Sequence, residues 1–137
     1  MVNEKLLVDT SAFYALMDRS DNHHETAARL WVSLLKENYT IITTNYVVLE
    51  TLALLQGRLG FDAANIWCSD ILGVVDVQWT DESTHSRAFE LWLSLGRRKL
   101  SLVDCVSFVT LRRHNLEIVF GFDKHFSEQG FQLLGLD

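Results

Sequence analysis

Proline is absent from the 137 residues, and no low-complexity tract or internal repeat interrupts the chain. Nothing therefore marks a linker, and the simplest organisation is one domain over residues 1–137, long enough to bury a core. Cysteine is scarce. Cys68 and Cys105 share neither a metal-type nor a redox spacing, so they read as buried reduced thiols. That fits a cytoplasmic protein rather than a disulfide-stapled secreted one. No apolar run approaches the ~18 residues of a membrane span. The start, Met1-Val2-Asn3-Glu4-Lys5, leads into a strand-like run without the pattern of a signal peptide. Positive charge is short as well: 12 Lys and Arg face 18 Asp and Glu, a formal net charge of -6. This argues against broad electrostatic capture of nucleic acid, which shows as basic excess, but leaves room for a local patch.

Apolar side chains are plentiful, at 48% with four Trp and eight Phe, which speaks against disorder. Short apolar runs alternate with longer helical patterns. Strands are expected at Leu6 to Val8, Thr40 to Thr43, Val74 to Val77, Ile118 to Phe122 and Phe131 to Leu134. The third is expected at an edge because Asp76 interrupts it. Helices are expected after caps at Thr10 or Ser11, at Asn22 (with Glu25 completing a capping box), and at Asn45, Asp81 and Ser101. A further helix is read from Phe61 to Leu72. In the second helix Ala27, Ala28, Trp31, Leu34 and Leu35 recur on one face. Near-continuous apolar strands separated by helices indicate an α/β fold: three layers, α/β/α, around a parallel sheet of four to five strands.

Four acids stand out against this pattern. Asp9 follows the first strand, Asp123 the fourth, Asp104 begins a helix, and Glu50 lies inside the apolar stretch Tyr46 to Leu55. In open parallel sheets, functional groups collect beyond the carboxyl ends of the strands. Carboxylates gathered there repel one another unless a cation is present, and no Lys or Arg adjoins Asp9 or Glu50 in the chain. Oxygen-only ligands suit Mg²⁺ or Mn²⁺ rather than Zn²⁺. The chemistry implied is metal-assisted phosphodiester hydrolysis, with Asp9, Asp104 and Asp123 as ligands and Glu50 as ligand or general base. Each acid also has an ordinary reading: turn or cap for Asp9, a turn for Asp123, and with Ser101 an S-x-x-D capping box for Asp104. Glu50 resists one most, because a glutamate in an apolar helix needs a partner.

Four segments in order, Leu7-Val8-Asp9-Thr10-Ser11-Ala12, Val48-Leu49-Glu50-Thr51, Leu100 to Phe108 with Ser101 and Asp104, and Gly121-Phe122-Asp123-Lys124-His125-Phe126, span nearly the whole chain. In these the sequence resembles the PIN-domain nucleases, in particular the small VapC-type toxin ribonucleases of bacterial toxin–antitoxin pairs. The resemblance implies a PIN-like sheet, the four acids as metal-binding and catalytic residues, Mg²⁺ or Mn²⁺ dependence, and endonucleolytic cleavage of RNA. It also implies a supporting hydroxyl beside the first Asp, from Thr10 or Ser11, of which Thr10 is carried forward; Ser101, the helix cap before Asp104, is a second supporting residue. A cognate antitoxin and a homodimer are the protein partners to expect, with no membrane.

Arg97, Arg98 and Lys99 precede Asp104 and are candidates to hold substrate phosphate, as is His125 beside Asp123. His23 and His24 lack ligand spacing. Cys105, in an apolar setting with no paired histidine, reads as core. Rival enzyme classes fit less well: a haloacid-dehalogenase-type phosphatase needs Asp where Ser11 stands, and a phosphotransfer receiver needs paired acids after the first strand. A solitary PIN protein in RNA processing or decay, and a scaffold that binds metal or nucleic acid without turnover, are the remaining alternatives.

Overall fold

Leu6, Leu7 and Val8 are all fully buried, as the central strand of a sheet covered on both faces requires. A computed structural model describes residues 4–136 and shows how; the N-terminal reading at Met1 to Asn3 lies outside them. Five strands, β1 (Lys5–Val8), β2 (Thr40–Thr44), β3 (Asp76–Gln78), β4 (Ile118–Phe120) and β5 (Gln132–Leu133), form one parallel sheet in the order β3-β2-β1-β4-β5. The helices are α1 (Thr10–Met17), α2 (His24–Lys36), α3 (Asn45–Leu59), α4 (Phe61–Ile66), α5 (Glu82–Leu95), α6 (Leu102–Arg113) and α7 (His125–Glu128).

Alternate residues of a strand point to opposite faces, and β1 divides its side chains accordingly. Leu6 and Val8 join Phe13, Trp31, Val47 and Trp67 in a core under α1 to α4. Leu7 joins Ala88, Cys105, Phe108 and Phe126 in a second core under α5 to α7. Two cores on one sheet make the three-layer α/β/α architecture.

Several caps differ from expectation. α1 is capped by the side chain of Asp9, not by Thr10 or Ser11. α2 starts at His24, and its cap position, His23, makes no side-chain capping bond, so Asn22 does not form the capping box. Thr44 caps α3 through Val47 N–H at 3.1 Å. Asn45 instead accepts from Thr80 N–H at 2.7 Å and so ties α3 to the segment after β3. α3 runs through Gly57 and ends at Gly60, whose φ of 100° suits glycine. The helix read as Phe61 to Leu72 is interrupted: α4 widens into a π-turn over Trp67–Ile71 and closes with a 3₁₀ turn over Leu72–Val74. The wide turn seats Trp67, which is fully buried and edge-on to Phe13 at 5.0 Å. Val74 is thereby drawn out of the third strand, which starts only at Asp76 and lies at the sheet edge as expected.

Candidate metal centre

Asp9 follows directly on β1, the middle strand, whose end is tied to both neighbours. Its N–H donates to Phe120 O at 3.0 Å, and Thr43 Oγ1 donates to Val8 O at 2.9 Å. The Ser11 hydroxyl donates to Asp9 Oδ2 at 2.9 Å and accepts from Phe122 N–H at 2.9 Å. One hydroxyl thus fixes the carboxylate against the chain leaving β4. Thr10 does not take this part: it is buried, and its Oγ1 accepts from Thr51 Oγ1 at 3.5 Å. The supporting hydroxyl beside Asp9 is that of Ser11, because the first turn of α1 points Thr10 into the packing between helices. Gly121 is needed at the same spot. A Cβ there would stand 3.1 Å from Asp9 Cβ and 3.2 Å from Ser11 Oγ, too close without movement.

Asp104 is buried in the first turn of α6 and forms a reciprocal capping box with Ser101. Its N–H donates to Ser101 Oγ at 3.1 Å, and Ser101 N–H donates to Asp104 Oδ2 at 3.1 Å. Asp123 accepts the His125 N–H on Oδ1 at 3.0 Å. Each aspartate therefore commits one oxygen to the protein, and the other has no hydrogen-bond partner among the described residues. Glu50, read from sequence as buried in an apolar helix, is half-exposed on α3. The helix buries Val47, Thr51 and Leu55 instead, leaving Glu50 at the rim.

Charge couples the four. Burial, then the negative charge of Asp104, pushes Asp9 up to about 7; the bonds from Ser11 pull the other way, and Asp123 adds a smaller push. Burial also pushes Asp104 up to about 6, opposed by the Ser101 bonds and reinforced by Asp123 and Glu50. None of the leading influences on either is a cation. Two buried carboxylates without a positive partner are what a divalent ion would resolve. Among the described residues, no three Asp, Glu, His or Cys side chains stand close enough to clasp a bare ion. One free oxygen per aspartate suits a hydrated Mg²⁺ or Mn²⁺, which keeps several waters, better than a closed zinc site.

The remaining candidates separate. Arg97 is engaged by Glu128 at 3.0 Å, whereas Arg98 and Lys99 are exposed. His125 turns inward on α7, its side chain 14% exposed, with Nε2 3.9 Å from Asp123 Oδ1 and Nδ1 3.4 Å from Glu128 Oε1 without hydrogen-bond geometry. It packs beside Asp123 and is not a surface turn residue. His24 Nδ1 donates to Ala15 O at 2.7 Å. His23, which no spacing singled out, stacks on Phe122 at 4.2 Å and 7°. Cys105 is fully buried, and burial with the Asp104 charge pushes its thiol up to about 11, so it supplies no nucleophile.

Comparison with known proteins agrees with this geometry. Residues 6–132 match the model of the PIN domain. The chain is 35% identical over 127 residues to the 23S rRNA-specific endonuclease VapC20 of Mycobacterium tuberculosis, covering 92% of this chain and 95% of that one. The crystal structure of that organism's VapC20, described as a Sarcin-Ricin loop cleaving toxin, superposes with a TM-score of 0.83 at 34% identity over 92% and 95% of the two chains. FitAcB from Neisseria gonorrhoeae shares the fold alone, with a TM-score of 0.68 at 17% identity over 93% and 95%.

Proposed function

The chain belongs to the PIN-domain family, and from that premise we propose that it is a divalent-cation-dependent endoribonuclease, the toxin of a toxin–antitoxin pair. The observation that carries the reading is the meeting of Asp9 and Asp104, buried and uncompensated, with Asp123 and Glu50 within electrostatic reach. The name of the relative in Mycobacterium tuberculosis supports RNA as the substrate and makes ribosomal RNA the first target to test.

In this reading Asp9, Asp104 and Asp123 would hold Mg²⁺ or Mn²⁺, directly or through water. The bound ion would supply positive charge to a scissile phosphodiester and acidify the attacking water. Glu50, at the rim and half-exposed to solvent, would serve either as a further ligand or as the general base for the attacking water. Ser11 and Gly121 fix the orientation of Asp9, and Ser101 fixes that of Asp104. Arg98 and Lys99, without carboxylate partners among the described residues, hold substrate phosphate on the loop that leads into α6. The domain is taken to be the whole of residues 1–137, acting in the cytoplasm; among the described residues no helix is long and apolar enough to cross a membrane.

An antitoxin or a second copy of the chain needs an apolar surface. Leu49 and Trp79, with 71% and 79% of their area exposed, line one such groove together with Val48, Leu52 and Leu72. The test of the activity is cleavage of ribosomal RNA and of mixed-sequence single-stranded RNA, with Mg²⁺, with Mn²⁺ and with chelator. Wild type should cut only with metal, and folded Asp9→Asn not at all. Cleavage that survives either chelation or the substitution would refute the reading.

A further inference from the structure

We propose that the groove between α5 and α6 binds the sugar-phosphate backbone of RNA several nucleotides away from the bond that is cut. The inference rests on the ribonuclease reading above and adds to it a second, remote contact. In an acidic chain the cations are not evenly spread: Arg87, Arg97, Arg98, Lys99, Arg112 and Arg113, half of the 12 Lys and Arg, fall within residues 82–113, against three acids there. Three of the six, Arg87, Arg112 and Arg113, line one groove of about 330 Å³ together with Leu91 and Val109.

Two of the three guanidinium groups in this groove are held in place, chiefly by uncharged partners. Arg112 donates to Gln129 O at 3.1 Å and to Gln129 Oε1 at 3.0 Å, and lies over the Phe131 ring at 5.2 Å, all uncharged partners. Its charge stays whole while its direction is fixed. Arg113 donates to Thr84 Oγ1 at 2.6 Å and to Ser83 Oγ at 2.9 Å, and shares its charge with Asp81 only at 3.7 Å. Arg87 is exposed and has no hydrogen bond or ion pair among the described residues. The negative end of α6 accounts for Arg112 and Arg113, but not for Arg87, which sits in the first half of α5. Two oriented arginines and the free Arg87 around an apolar floor of Leu91 and Val109 match a ribose-phosphate chain, with sugar on the floor and phosphate on the forks.

The spacing to the acids is suitable. Arg112 lies eight residues beyond Asp104 on the same helix, about 12 Å at ~1.5 Å per residue. That is about three to four nucleotides at ~3.4 Å per strand. A substrate that reaches both places must be longer than a few nucleotides, so the groove favours extended or stem-bearing RNA over short fragments.

The test uses Asp9→Asn protein in chelator, so that binding is read without cleavage or metal, against a long hairpin RNA and a short single-stranded oligonucleotide. Arg87→Ala should weaken hairpin binding several-fold and flatten its salt dependence by about one unit of log K per log salt, the signature of one lost phosphate contact. Arg87→Glu should weaken it further, and the preference for hairpin over oligonucleotide should collapse. Arg29→Ala, on exposed α2 over the opposite sheet face, serves as control and should change neither. Hairpin affinity and salt slope equal to those of the parent would overturn the proposal. So would a variant that keeps RNA affinity but loses an acidic peptide such as polyglutamate, which would make the groove a protein site. If wild type fails to cut RNA with any metal while Arg87→Ala still loses the hairpin, the ribonuclease reading falls and the groove stands.

Discussion

Asp9 depends on two neighbours that carry no charge. Among the described residues Ser11 alone bonds the Asp9 side chain, and Gly121 leaves the space it occupies. Removing the Ser11 hydroxyl should cost metal affinity or turnover about 10- to 100-fold, as loss of an outer partner of a ligand does. Thr10→Val, which disturbs a contact away from the carboxylate, should cost far less; Mn²⁺ titration of both variants compares them. Gly121→Ala places a methyl against Asp9 and Ser11 and should lower stability by about 1–3 kcal/mol, as overpacking does. Its metal affinity should fall with it, measured by calorimetry beside the melting temperature. At this scale the sequence showed the acids, because carboxylates at strand ends and in apolar stretches are conspicuous. It did not show which hydroxyl served them. Thr10 and Ser11 are adjacent, and only the turn of α1 decides which faces the carboxylate.

Among the elements, α6 joins a structural and a chemical demand in one residue. Asp104 completes the capping box with Ser101 through one oxygen, and its second oxygen has no hydrogen-bond partner among the described residues. Ser101→Ala should therefore destabilise by about 1 kcal/mol through the lost cap. It should also weaken metal binding, since Asp104 is no longer held; denaturant melts with and without Mn²⁺ separate the two effects. Elements with strong local signals were legible from sequence: the buried run of β1, and Asp81 and Ser101 as caps. The interruption after α4 was not, because the burial of Trp67 against Phe13 is a tertiary matter that helical spacing does not encode. The exposure of Glu50 escaped for a similar reason. An apolar helix face can be read from sequence, but which residues of α3 the neighbours cover cannot.

For the whole molecule, the acid cluster costs stability, and the cost depends on pH. Asp9 and Asp104 hold protons in the folded protein up to about 7 and 6, whereas their reference value is 3.8. Between those limits the folded state binds more protons than the unfolded one, so stability from these groups is full below the lower value and lost as pH rises through the upper. The metal-free protein should melt at a lower temperature above neutrality than in mild acid. Asp9→Asn should flatten that slope, and Mn²⁺ should raise the wild-type melting temperature more at the alkaline end. An unchanged slope in the variant would refute this account. The strand order has a consequence of another kind. β1 is made first yet lies between β2 and β4, and its pairing of Val8 with Phe120 joins residues more than a hundred positions apart. A chain still emerging from a ribosome thus has Asp9 without β4 beside it, and without Asp104 or Asp123. The proposed centre therefore stays unassembled until the segment carrying Asp123 has been made and β4 has joined the sheet.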